Sequence, residues 1–307
     1  MTDLQKIKKT EEILGFKLNK KKSLPKNKDY SCYKITNDYV LNSKDNLIGL
    51  SLRRRKLVDC NFLKDFKELE ILNLFENKIE DISFLKELKN LRSIDLSYNK
   101  ISDFSPLKEL INLTVLNLNY NQIEDILFLK ELKNLSSLDL FENKIEDISS
   151  LKGLKNLNNL YLAGNRISDI SSLKELKNLV ILDLGCNKIS DISPLKKLNN
   201  LKEIHLYDNK MADFSFLEEL KSLTNIELED NYISDISFLK ELKNLTILNL
   251  GYNQISDISS LKSLKNLKDI SLCDNNISDI SSLKELKNLT NINFYNNQIS
   301  DISSLKN

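Results

Sequence analysis

From residue 69 onward, apolar residues recur in a frame that repeats every 22 positions: Leu69, Leu72, Leu74, Ile79, Ile82, Leu85 and Leu88, then again from Leu91. Two periods alternate within each unit. Leu72 and Leu74 flank polar Asn73, which predicts a short strand with those leucines inward and Ile71, Asn73 and Phe75 outward. Leu85 and Leu88 stand three apart, which predicts a single 3₁₀ or α turn with Lys86 and Glu87 in solvent. Each strand is reached only after a full circuit of the chain, so successive strands must pair in parallel.

Polar positions repeat as strictly as the apolar ones. Asn77, Asn99, Asn121, Asn143, Asn165, Asn187, Asn209, Asn231, Asn253, Asn275 and Asn297 close the strands at intervals of 22. A side-chain amide there can bond the backbone of the turn, and stacked equivalents give a ladder inside the coil. Asp recurs on the return leg from Asp59 to Asp301 and is expected to N-cap the turn. Pro106 and Pro194 sit just inside it, where a missing N–H costs nothing.

The frame LxxLxLxxNxIxDISxLKxLKN, nearly verbatim in residues 245–266, resembles the 22-residue class of leucine-rich repeats. Bacterial internalin-like proteins and phosphatase-regulating SDS22-like proteins share that class. The resemblance implies an α/β fold: a right-handed solenoid (horseshoe) with a parallel β-sheet on the concave face and short 3₁₀ or α turns on the convex face. It also implies protein binding on the concave face.

Two segments are expected. Residues 47–307 form the solenoid, about twelve units with the last truncated; in the first unit Arg55 replaces the ladder Asn, as suits an end coil. Residues 1–46 form an N-terminal cap. Leu4, Ile7, Glu11 and Leu14 suggest an amphipathic helix, and Tyr30 to Leu41 alternates enough for one or two strands.

Function must lie in the variable outward columns: the third, fifth, seventh and eighth positions of each unit. Over residues 69–307 these hold twelve acids and no Lys or Arg. All seven tyrosines of the array lie there or on the adjacent edge, and tyrosine is enriched where proteins meet. The candidate partner-binding residues are Phe75, Tyr98, Tyr120, Phe141, Tyr161, Asp183, Glu203, His205, Tyr207, Glu227, Glu229, Asp230, Tyr252 and Tyr295. The expected ligand is a protein or peptide of basic character.

Charge and composition narrow the classes further. Net charge is +1, yet residues 1–46 alone carry eleven Lys against six acids, so the array is acidic and ill-suited to nucleic acid. No apolar run is long enough to span a membrane, and Met1 to Phe16 lacks the apolar core of a secretory signal. Cys186 and Cys273 are four repeats apart, roughly 19 Å at one strand spacing per repeat, too far to bridge. Cys60 occupies a core column, and Cys32 lies in the N-terminal segment. Reduced thiols in a cytoplasm are expected.

His205, the only histidine, lies between Asp183 and Glu227 in one column, and no Ser or Cys nucleophile stands out beside it. The chain has no phosphate-cradling glycine loop and no zinc-like Cys/His spacing. The reading is therefore a non-enzymatic interaction module without cofactor or metal, monomeric by default. A secreted or surface adhesion protein of internalin type, or the repeat portion of a larger signalling protein, are the alternatives.

Overall fold

The 22-residue frame produces one coil per repeat: a three-residue strand, a tight turn, and a 3₁₀ turn that carries the chain back. The computed structural model describes residues 2–24 and 37–305. Cys32 and most of the Tyr30–Leu41 segment lie outside the described residues. The chain divides into two compact units, Met1–Lys144 and Ile145–Asn307.

The first unit holds helix α1 (Asp3–Leu14) and strands β1 (Asn19–Lys20), β2 (Asp38–Leu41), β3 (Leu47–Ser51), β4 (Ile71–Asn73), β5 (Ser93–Asp95), β6 (Val115–Asn117) and β7 (Ser137–Asp139). From β3 to β7 all pairing is parallel with a register of 22, as in Leu72 opposite Ile94. β2 pairs antiparallel with β3 and parallel with β1. The second unit holds β8 (Asn159–Tyr161), β9 (Ile181–Asp183), β10 (Glu203–His205), β11 (Asn225–Glu227), β12 (Ile247–Asn249), β13 (Asp269–Ser271) and β14 (Asn291–Asn293), each parallel to the next.

Frame residues make the core. Leu74, Ile79, Leu85, Leu88 and Leu91 are wholly buried, and their counterparts are buried as far as Leu286, while Leu289, Phe294 and Ile299 are half-buried. Cys60 is among them, and burial pushes its thiol up to about 12, so it is a packing residue without nucleophilic character. The last coil differs: Ile302 and Leu305 are exposed.

The ladder asparagines bond backbone, not one another. Asn77 Nδ2 donates to the carbonyls of Leu52 in the preceding coil (2.8 Å) and Leu74 in its own (2.9 Å), while Oδ1 accepts from Leu57 N–H (3.0 Å). Asn187 repeats this with Leu162, Leu184 and Ile167. Each of these two amides thus bonds three backbone groups that the turn leaves inside the coil, whereas Asn121 makes the two donations to Leu96 and Leu118 but leaves its Oδ1 buried without a partner.

Two expectations need correction. The aspartates do not occupy the N-cap position of the 3₁₀ turns; Ile82 does, and it makes no side-chain cap bond. Asp81 acts from one residue earlier, its carboxylate accepting Ser83 N–H (2.7 Å) and Ser83 Oγ–H (3.0 Å), because a 3₁₀ turn is too tight for the α-helical geometry. In α1 the buried stripe is Asp3, Ile7 and Thr10, with Leu4 exposed. Asp3 Oδ2 accepts the Leu47 N–H at the start of β3 (2.8 Å), which fixes the rotation of the helix.

A second asparagine column runs along the return turns. Asn112, Asn134, Asn244 and Asn288 donate to carbonyls 23 residues earlier, at 2.8–2.9 Å. Thr114, Ser136, Thr246 and Thr290, two residues on, donate hydroxyls to carbonyls 22 residues earlier. The sequon-like Asn-Leu-Thr and Asn-Leu-Ser triplets are therefore paired columns of structural hydrogen bonds.

Candidate functional site

The outward columns do not form one uniform surface. In the first unit they carry an aromatic row. Phe75 meets Tyr98 edge-on at 5.3 Å between centroids, Tyr98 stacks on Tyr120 at 4.1 Å, and Tyr120 meets Phe141 edge-on at 5.2 Å. Tyr98 and Tyr120 remain about two-fifths exposed, so the row is ordered by its own contacts yet open to a partner. Burial, the Tyr120 hydroxyl and the charges of Glu76 and Glu142 together push the Tyr98 phenol above its ordinary value.

Beside this row lies a dry polar strip. Asp95, Ser97, Asn117, Asn119 and Asp139, in the fifth and seventh columns, are buried although they sit on the outward side of the sheet. Asp95 and Asp139 each accept the backbone N–H two residues on, from Ser97 (3.0 Å) and Phe141 (3.0 Å). Asn73, Asn117, Asp183, Asn249 and Asn293 do the same. The acid-and-amide preference of the fifth column thus has a local cause, an Asx turn that closes these seven strands. Burial raises the Asp95 carboxyl above its usual range, against the bonds from Ser97 and the charge of Arg53.

Arg53 and Arg54 fall in the seventh and eighth columns of the first coil, and a reading of the columns from residue 69 misses them. The same frame positions, extended one coil back, would have found them. The Arg53 guanidinium lies 4.7 Å from the Phe75 ring centroid and Arg54 5.8 Å from it. Arg54 also pairs with Glu76 at 2.6 Å. The aromatic row therefore ends at a basic corner, with Glu76 ion-paired to Arg54.

The second unit carries the acids: Asp183, Glu203, Asp208, Glu227, Glu229, Asp230, Asp269 and Asp274 in the same four columns. Lys210, on the edge, bridges Asp208 (3.0 Å) and Asp230 (2.6 Å), which hold its ammonium above the usual lysine range. Glu229 accepts from Asn249 (2.8 Å) and Asp274 from Asn296 (2.5 Å). On β10, His205 faces Asp183 of β9 and Glu227 of β11 in exact register, with Nδ1 3.8 Å from Asp183 Oδ2 and Nε2 4.0 Å from Glu227 Oε1. Burial works to lower the imidazole pKa, but the carboxylates of Asp183, Glu227 and Glu203 outweigh it and hold the pKa above its ordinary value.

The remaining candidates are more scattered. Tyr161 is half-buried on β8, and Tyr207 lies over Gly185. Tyr252 is half-exposed beside Asp274, whose charge raises its phenol, and Tyr295 is exposed in the last coil. Among the described residues no three His, Cys, Asp or Glu side chains come together to hold a metal ion.

One backbone feature is not dictated by residue type. The residue before every ladder asparagine from Asn77 to Asn297 is left-handed: Glu76, Tyr98, Tyr120, Glu142, Gly164, Cys186, Asp208, Asp230, Tyr252, Asp274 and Asn296. Only one is glycine. The left-handed turn aims the eighth-column side chain away from the coil, so the exposed tyrosines and acids owe their direction to a costly conformation.

A family model of leucine-rich repeats matches residues 67–197 and 199–307 in overlapping pairs of repeats. The chain is a leucine-rich repeat protein of the 22-residue class. This leucine-rich repeat chain is similar to an internalin, inlF, from Listeria monocytogenes: 33% identity, 86% of this chain and 88% of that one covered, TM-score 0.75. A leucine-rich repeat protein of Leptospira interrogans is 28% identical over 85% of this chain and 76% of its own, TM-score 0.75. The ectodomain of the Arabidopsis receptor kinase HAESA, in complex with a peptide hormone, is 24% identical over 84% of this chain and 48% of its own, TM-score 0.73, and shares the fold. No curated protein matches significantly. Among the described residues no helix is long and apolar enough to cross a membrane.

Proposed function

We propose that this leucine-rich repeat chain is a non-enzymatic interaction module that binds a protein or peptide of basic character on its outward columns. The observation that carries the reading is the row Phe75–Tyr98–Tyr120–Phe141, four aromatics locked in contact and still open to solvent. A preordered aromatic surface loses little side-chain entropy on binding and supplies large contact area. The eight acids of the second unit give the basic preference, since complementary charge sets association rate and partner choice. The remaining candidates, Tyr161, Glu203, Tyr207, Glu227, Glu229, Asp230, Tyr252 and Tyr295, belong to the outward columns of the second unit and are read as partner contacts there. Residues 1–46 are read as a cap on the first coil, through Asp3 to Leu47 and Lys6 to the Asp65 carbonyl.

Affinity capture from the source cell with the wild type and with Tyr98→Ala/Tyr120→Ala tests the reading. A partner lost with the double variant supports it; equal recovery removes the aromatic row from the site. The cytoplasm is the expected location. The 33% identity to an internalin favours a secreted or surface adhesion protein as the second reading, and cell fractionation separates the two.

A further inference from the structure

His205 is the only histidine of the chain and stands between two carboxylates on neighbouring strands. Neither ring nitrogen is within direct hydrogen-bonding distance, at 3.8 Å from Asp183 and 4.0 Å from Glu227, and Nε2 is sealed from water without a partner. A neutral imidazole in this slot leaves a buried nitrogen unsatisfied. An imidazolium offers an N–H toward each carboxylate. The charged groups that bear on the ring are Asp183 on β9, Glu227 on β11 and Glu203 on its own strand. No lysine or arginine shares these columns in the second unit, and Lys210 is engaged by Asp208 and Asp230.

We propose that His205 is a proton-operated regulator of the acidic face: its imidazolium and a cationic side chain of the partner compete for Asp183 and Glu227. The inference rests on reading that face as the binding surface for a basic partner and adds its regulation. As pH falls, protonation adds one positive charge between the two carboxylates, and affinity for a cation falls. Because those carboxylates hold the pKa above its ordinary value, the change comes nearer neutrality than for a free histidine. Linkage makes the effect reciprocal, so a bound cation must drive the proton off.

With one histidine in the chain, its imidazole signal can be followed directly by NMR. The binding probe is N-acetylated octalysine, whose side chains stay charged from pH 5.5 to 8.5, used at low salt. The wild type should bind it about five-fold more tightly at pH 8.5 than at 5.5, the effect of one unit charge about 4 Å away in water. His205→Gln should flatten that step, and saturating octalysine should lower the His205 midpoint. Asp183→Asn keeps an acceptor for the Gly185 N–H and should shrink the step while lowering the midpoint. A step that persists in His205→Gln, or a midpoint indifferent to octalysine, overturns the regulation alone. Failure of octalysine to bind at every pH overturns the basic-partner reading and the regulation with it.

Discussion

The ring of Tyr207 lies across Gly185 of the preceding coil, so close that a Cβ on Gly185 would collide with the far end of the ring. Gly185 is not among the positive-φ glycines, so the position needs space rather than conformational freedom. Gly185→Ala should swing Tyr207 outward. Because a ring tip can move where a packed core cannot, the stability loss should stay below the ~1–3 kcal/mol typical of overpacking. Urea unfolding measures the cost and the tyrosine NMR shifts report the movement; a large loss with an unmoved ring would contradict it.

Asn231 is the most buried rung of the ladder. Its amide donates to Leu206 and Leu228 carbonyls (3.0 and 3.1 Å) and accepts from Met211 N–H (3.0 Å). Asn231→Ala strands the Met211 N–H, worth about 1–3 kcal/mol when left unmade, while the Leu206 and Leu228 carbonyls keep the amides of Asn209 and Asn253, so the variant should lose at least ~1 kcal/mol. Asn244, an exposed rung with one bond to the Lys221 carbonyl, should cost less than ~1 kcal/mol as Ala. Equal losses at the two sites by denaturant unfolding would mean that burial does not set their value.

Asp95 gives a signed pH dependence. Its folded pKa is raised by burial, so ionisation disfavours the folded state, and its contribution falls as pH rises from the unfolded pKa through the folded one. Asp95→Asn removes that penalty while retaining an acceptor for Ser97 N–H. The variant should therefore gain on the wild type between pH 4 and pH 7. A stability difference independent of pH would show that the carboxyl titrates normally.

Glu142 is exposed and left-handed at φ 52°. The left-handed region costs a side chain ~1–2 kcal/mol, against which glycine loses ~0.5–1 kcal/mol through the freedom of the unfolded chain. Glu142→Gly should therefore stabilise by roughly 0.5–1 kcal/mol, and Glu142→Val should destabilise. Thermal unfolding of the two variants decides; a destabilised glycine variant would mean that the Glu142 side chain contributes more than its strain costs.

Much of this molecule was legible in its residues, because a coil of fixed length can bury its leucines only by stacking on copies of itself. Period 22 determined the parallel register, the core columns and the places of the asparagine rungs. The outward columns could be numbered, but not the fate of their side chains. Asp95 and Asp139 count as surface acids by position, yet the structure buries them in Asx turns. Arg53 and Arg54 become part of the aromatic row only once the first coil is stacked beneath Phe75. Tyr98 and Tyr120 meet because a left-handed residue precedes each asparagine, and no local preference of tyrosine calls for that conformation. The sequence by itself determined what every coil shares, since burial of a repeated apolar frame has one solution. Only the tertiary structure decided how neighbouring coils differ, since contacts between outward side chains depend on residues 22 positions apart.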